Sequence, residues 1–209
     1  MKTFRSVKNA LGFCLAMVLL LNAQAASRES NPDLLPSIDQ VLFSGLNPQA
    51  AVDAMTLPKG FEAHLYASEP DISQPIAFCL DERGRIWLAE GQQYPVRADG
   101  DHGNDRILIL EDTNGDHQFD TKTVFMEGLN LISGLEVGFG GVWVGAAPYL
   151  MFIPDYDQND QPDGAPEVLL DGWDPYRDTH ETLNTFTWGP DGWLYGCHGV
   201  FCPSFVGKP

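Results

Sequence analysis

Apolar and polar residues alternate from residue 61 onward. Phe61, Ala63, Leu65 and Ala67 interleave with Glu62, His64, Tyr66 and Ser68, the period of a strand with one buried face. No later segment sustains a helical period. The strands arrive in ordered sets. Residues 76–80 predict a strand, 81–84 a turn and 85–89 a return strand. Residues 135–139, Gly140-Gly141 and 142–145 repeat that unit. Thr185-Phe186-Thr187-Trp188, the tight turn Gly189-Pro190-Asp191-Gly192 and Trp193-Leu194-Tyr195 give it a third time. The first two copies each continue with a third strand (106–110 and 150–153), an acidic loop, and a fourth strand (123–125 and 167–170). Four short strands per unit, repeated in series, predict an all-β fold of the β-propeller kind.

The repeat is uneven, and the excess is informative. Asp112 and Asp155 stand 43 residues apart, but Trp87 and Trp143 stand 56 apart. The first unit therefore carries extra residues between its second and third strands, within 91–105. A second excess lies between units, around 172–185. In an up-and-down unit both places emerge at one end, opposite the first and third turns. Loops that lengthen on one face of a rigid scaffold usually carry function. The predicted site face holds Gln92, Gln93, Tyr94, Arg97, His102, Arg177, His180, Asn184 and His198, with Glu90 placed to pair with Arg97 or Arg106.

Ahead of the repeats, Lys2, Arg5 and Lys8 precede an apolar run too short to span a bilayer, and Ala23-Gln24-Ala25 offers a cleavage site. Residues 1–25 read as a secretory signal peptide and 26–56 as a linker with a short helix. Asn47 is placed as its N-cap and Pro48 at N1. Residues 57–209 then hold two complete units and part of a third. That is too few for a closed ring, so the chain is expected to be the N-terminal part of a longer exported protein. No segment of the mature chain is long and apolar enough for a membrane helix.

Loss of the three N-terminal cations takes the formal charge from −17 to −20. A chain so acidic has no basic patch for phosphates, which argues against nucleic acid as a partner. Three cysteines remain, Cys79, Cys197 and Cys202. An odd number allows one bridge at most; Cys197 and Cys202 are close enough in sequence to pair, and Cys79 reads as a buried thiol.

Two stretches suit a hard cation. Asp112, Asn114, Asp116 and Asp120 put oxygen side chains at positions 1, 3, 5 and 9 of the first acidic loop, and Asp155, Asp157, Asn159 and Asp163 do so in the second. This is the opening of an EF-hand-like calcium loop without its position-12 glutamate, where Thr123 and Pro166 stand. A solvated turn between strands is the plainer alternative. Any calcium here would be structural, at the end opposite the site face. On that face His180 is the sharpest group, because an imidazole exchanges protons near neutral pH and fits a general base. Asn184 would orient substrate. Cys197-His198 lacks the second cysteine of a haem-attachment motif, so no haem is expected within this chain.

The hairpin His180…Asn184…Trp188-Gly189-Pro190-Asp191-Gly192-Trp193-Leu194-Tyr195 resembles a known family. So do Asp105-Arg106-Ile107, Glu136-Val137-Gly138-Phe139-Gly140-Gly141-Val142-Trp143 and Leu169-Leu170-Asp171-Gly172-Trp173. From about Leu57 to Pro209 the chain is similar to the N-terminal propeller of the PVC-type membrane-bound dehydrogenase-like, haem-c-binding proteins. That family is similar in turn to the soluble glucose/sorbosone dehydrogenases. The resemblance implies a six-bladed propeller that uses the quinone PQQ and calcium to oxidise a sugar or alcohol. It implies His180 as the base that takes the hydroxyl proton, and a haem c domain downstream. Thr179 stands where those enzymes place an aspartate. Two other readings are open: a non-catalytic propeller binding carbohydrate or protein, and a calcium-dependent lactonase-type hydrolase using Glu90 and Asn184.

Overall fold

A computed structural model of the chain describes residues 45–209. The assigned signal peptide and most of the linker lie outside the described residues. The compact unit Asn47–Pro209 begins with helix α1 (Pro48–Asp53), where the Asn47 side chain accepts the Ala50 N–H at 2.8 Å and Pro48 fills N1.

Everything else regular among the described residues is strand. β1 (Pro75–Leu80), β2 (Ile86–Glu90), β3 (Asp105–Glu111) and β4 (Thr121–Leu129) form one antiparallel sheet in sequence order. β5 (Ile132–Val137), β6 (Gly141–Ala146), β7 (Tyr149–Pro154) and β8 (Glu167–Asp171) form a second of the same order. β9 (Leu183–Trp188) and β10 (Leu194–His198) make a hairpin. Among the described residues the sheets do not close into a barrel.

The first-to-second turn of each sheet shows why the repeat reads so clearly. In the first, Gly84 N–H donates to Asp81 O at 3.0 Å and Asp81 N–H to Arg85 O at 3.1 Å. In the third, Gly192 N–H donates to Gly189 O at 3.0 Å and Gly189 N–H to Trp193 O at 2.8 Å. Gly84 and Gly192 hold φ of 79° and 80°, the left-handed position that closes a type I turn into a bulged hairpin. The second turn is one residue shorter, and both Phe139 and Gly140 take positive φ.

The sheets stack face to face. Trp87, Ala89, Ile107 and Ile109 of the first meet Val142, Val144, Met151 and Ile153 of the second in one buried core. The other face of the second sheet packs on Leu183 and Phe186 of the hairpin, with Ala147 and Trp173. The first strands of successive units, β1, β5 and β9, are neighbours. The two outer faces of the stack carry exposed apolar side chains, Phe78 at one end and Trp193 and Tyr195 at the other.

The alternation at 61–67 does not make a strand. This stretch has no ladder partner; it straps the outer face of the first sheet. Tyr66 and Ala67 pack on the cluster of Leu88, Leu108 and Leu110. The Tyr66 hydroxyl donates to Leu110 O at 3.2 Å, and Tyr66 O accepts Phe119 N–H at 3.2 Å. A half-buried extended segment gives the same pattern whether it lies beside a sheet or across it. Cys79, Cys197 and Cys202 are unbridged. No described helix is long and apolar enough to cross a membrane.

Candidate functional site

Two buried polar side chains fix the β2–β3 loop, residues 91–104. Asp105, the first residue of β3, is fully buried. Its Oδ1 accepts the Gln93 N–H at 2.5 Å and its Oδ2 the Ile132 N–H at 2.7 Å. Burial pushes its carboxyl above the usual carboxylate range, against the pull of those N–H groups and of Leu131. Asn130 does the same job as a neutral group. It accepts the Ala98 N–H at 3.0 Å and donates to Ala98 O at 3.0 Å and Gly100 O at 3.1 Å. The loop is thereby tied to the link between the two sheets.

Tyr94 in this loop reaches the β8–β9 connection. Its hydroxyl is hydrogen-bonded to His180 Nδ1, and the ring centroids lie 5.5 Å apart. The Asp178 carboxylate accepts the backbone N–H of His180 at 2.9 Å and of Glu181 at 3.3 Å, which shapes the connection there. Tyr94, His180 and Asn184 line one cavity of about 410 Å³, with Ser133 and Thr179 as further polar groups and Phe78 and Phe186 among the apolar ones. Asn184 lies within β9, paired with Cys197 of β10, rather than in the loop before the strand.

The other residues assigned to this face are not part of that cavity. Gln92 donates to Glu90 at 3.2 Å, and Arg106 is ion-paired with the same carboxylate. Glu90 is fully buried and also accepts the Ser73 N–H at 2.6 Å. Glu90 is turned inward and is not among the residues that line the cavity with Asn184. Gln93 donates its side chain to Val96 O at 2.9 Å, and His102 lines a separate recess with Met126 and Asn130. Arg97 and Arg177 line a neighbouring recess with Trp173 and Tyr176. Arg97 is spent on the Ala147, Ala98 and Gly100 carbonyls and on Asp101. His198, the last residue of β10, lies 2.9 Å from Ser204 Oγ.

The acidic loops lie at the opposite end, beside the β1–β2 and β5–β6 turns, and they differ from each other. In the first, Asp112 accepts the Gly115, Asp116 and His117 N–H groups at 2.7, 3.2 and 2.8 Å. Desolvation opposes these bonds, but together they hold the Asp112 carboxyl below its usual range. Asp120 is held low by the Thr113 hydroxyl. In the second, Asp155, Asp157 and Asp163 bring carboxylate oxygens within 4.8 Å of one another. Burial raises the Asp155 carboxyl, backbone N–H groups oppose it, and the Asp160 and Asp157 charges add to the rise. Asn159 turns its amide nitrogen to Asp157 at 2.9 Å and its oxygen to the Gln161 N–H at 2.9 Å. The carboxylates of both loops accept backbone N–H groups, Asp155, Asp157 and Asp163 from Asn159 and Tyr156. The loops differ in that, among the described residues, only those of the second converge, which suits a hard cation such as calcium.

Sequence reasoning missed Ser133 and Asp105. An acid opening an apolar strand is a signal that could have marked Asp105 for a buried anchoring role. Ser133, whose hydroxyl donates to Leu183 O at 2.7 Å, gave none.

These features define an all-β protein of stacked antiparallel sheets, with a histidine-bearing cavity at the end where its loops are longest. A family model described as "Domain of unknown function (DUF7133)" matches residues 47–208, and the chain belongs to that family. No curated protein and no solved structure matches it.

Proposed function

We propose that the chain belongs to an exported β-propeller, dehydrogenase-like, whose cavity between the β2–β3 loop and the β8–β9 connection binds a sugar or alcohol and removes its hydroxyl proton. The four-stranded meanders and the adjacency of β1, β5 and β9 support the propeller reading. In that reading the exposed Phe78 and Trp193 faces are where further sheets pack. The observation that carries the site is the meeting of Tyr94 and His180, from two separately lengthened loops, over a cavity that also holds Asn184.

The quinone implied by the resemblance is a polycarboxylate and needs cations. The residues lining the cavity include neither arginine nor lysine, and Arg97 and Arg106 are engaged elsewhere. The lining of this cavity does not fit that cofactor, and no step is derived through it. A neutral polyhydroxyl ligand suits the lining better: an amide, four hydroxyl-bearing side chains and an imidazole beside aromatic carbon. This also favours a second reading, a carbohydrate-binding site without oxidation. Calcium in the second acidic loop belongs to the proposal as a structural ion.

The test is a panel of sugars and alcohols offered to the purified full chain, with and without added PQQ and calcium. Binding is read by calorimetry and oxidation by dye reduction. Saturable binding that His180→Gln weakens is the expected result, with oxidation separating the two readings. Failure of every panel member to bind would remove the proposal.

A further inference from the structure

Tyr94 and His180 are separated by 86 positions, and acidity favours one direction for their hydrogen bond. A phenol is a far stronger acid than the N–H of a neutral imidazole, so the hydroxyl donates and Nδ1 accepts. The neutral ring then carries its proton on Nε2 and has no lone pair left for a ligand. The Tyr94 oxygen keeps its lone pairs, and Tyr94 is one of the residues that line the cavity.

We infer, resting on the sugar or alcohol reading above, that Tyr94 Oη and His180 Nδ1 form a proton relay in which the tyrosine oxygen takes the ligand's hydroxyl proton. As the ligand O–H bond breaks, a new Oη–H bond forms. The proton that Tyr94 carried passes along the existing hydrogen bond to Nδ1. The products are a ligand alkoxide, an intact phenol and an imidazolium. The step moves protons alone and needs no oxidant. His180 is then a positioning and proton-storing residue, and Tyr94 is the group that touches the ligand. Asp178, two residues from His180, accepts the backbone N–H groups of His180 and Glu181.

Two measurements test this. The first is the nitrogen NMR spectrum of the full chain labelled at histidine, with His180→Gln to assign the resonances. Above the imidazole titration, His180 is expected to show a protonated Nε2 and a hydrogen-bonded, unprotonated Nδ1. Tyr94→Phe should move the Nδ1 resonance toward that of a free ring while circular dichroism and melting temperature hold. A protonated Nδ1 in the neutral ring, or an Nδ1 indifferent to Tyr94→Phe, overturns the relay whatever the protein does with sugars. The second is turnover with the best substrate of the panel. Tyr94→Phe should lower kcat by about 10²-fold or more with little change in KM, the usual scale of acid–base catalysis. Full kcat in Tyr94→Phe, with His180→Gln inactive, would make the imidazole itself the base. If the NMR signature is present but nothing in the panel is oxidised, the dehydrogenase reading falls and takes the catalytic role of the relay with it.

Discussion

Arg85 and Asp160 are 75 residues apart and meet through two parallel hydrogen bonds, Nη1 to Oδ2 at 2.7 Å and Nη2 to Oδ1 at 2.9 Å. Arg85 lies in the first turn of one sheet and Asp160 in the acidic loop of the next. The guanidinium is buried and also binds Asp81 at 2.8 Å. Asp81 in turn accepts the Trp87 indole N–H at 3.1 Å. Two sheets are thereby locked together at the end away from the cavity. The Asp160 hydrogen bonds come first among the causes that hold the Arg85 guanidinium firmly charged.

Asp160→Ala removes two charge-assisted hydrogen bonds and leaves the guanidinium with Asp81 as its remaining carboxylate. It should destabilise the chain by about 1.5–3 kcal/mol, read as a lower midpoint in urea. The Asp81 carboxyl is held below its usual value: burial pushes it up, and hydrogen bonds from Trp87 and Arg85 outweigh that. A lowered carboxylate adds stability that is full above its unfolded value near 3.8 and is lost as pH falls through the folded value. Wild-type stability should drop steeply below about pH 4, and Asp81→Asn should flatten that limb.

Asp105 has the opposite sign. Its carboxyl is raised by burial, so the folded state holds the proton more tightly than the unfolded chain does. Stability from this group is present at low pH and declines as pH rises through the raised value. Asp105→Asn removes that decline. It also puts an amide N–H against either the Gln93 or the Ile132 N–H, losing one anchor of the β2–β3 loop. As pH rises across the mildly acidic range, urea midpoints should fall less in the variant than in the wild type, with weaker sugar binding in the variant.

The unit of four strands was legible because its punctuation is local: Gly84 and Gly192 announce their turns, and alternation marks each strand. The end of the molecule where Tyr94 and His180 meet was legible for a related reason, since a meander sends alternate loops to alternate ends. Which side chains converge was not. Arg97 and Tyr94 are three residues apart in one loop, yet Arg97 is drawn to the Ala147 carbonyl and Tyr94 to His180. That division is decided by buried groups, Asp105 and Asn130, whose partners lie across the fold. Residues 61–67 show the same limit, because period two reports a half-buried extended chain and not what covers it.

The two acidic loops should respond differently to calcium. Asp155, Asp157 and Asp163 converge, while no such cluster forms among the described residues of the first loop, where Asp112 turns toward the Gly115, Asp116 and His117 N–H groups. Calcium at ten times its dissociation constant should stabilise the fold by about 1.4 kcal/mol, read as a rise in Tm that EDTA reverses. Asp157→Asn should abolish the rise and Asp116→Asn should leave it. Equal loss in both variants would mean that both loops bind.

The floor of the cavity depends on three glycines around one ring. Gly134 and Gly145 are cross-strand partners in β5 and β6. A Cβ on Gly134 would lie 3.0 Å from Phe186, and one on Gly145 would lie 3.0 Å from Phe186 and 2.9 Å from Leu183. Gly196 of β10 meets the same ring from its other neighbour strand, at 2.8 Å. Phe186 thus lies flush against backbone, and this lets β9 approach the second sheet closely enough for Asn184 and His180 to face Tyr94. Gly145→Ala must push Leu183 and Phe186 outward together, since the backbone oxygen of Leu183 is also within 3.1 Å. Overpacking of this kind costs about 1–3 kcal/mol. The loss should come with a weakened Tyr94–His180 contact, seen as a moved Nδ1 resonance. Phe186→Leu in the same chain should recover part of both by giving the new methyl group room.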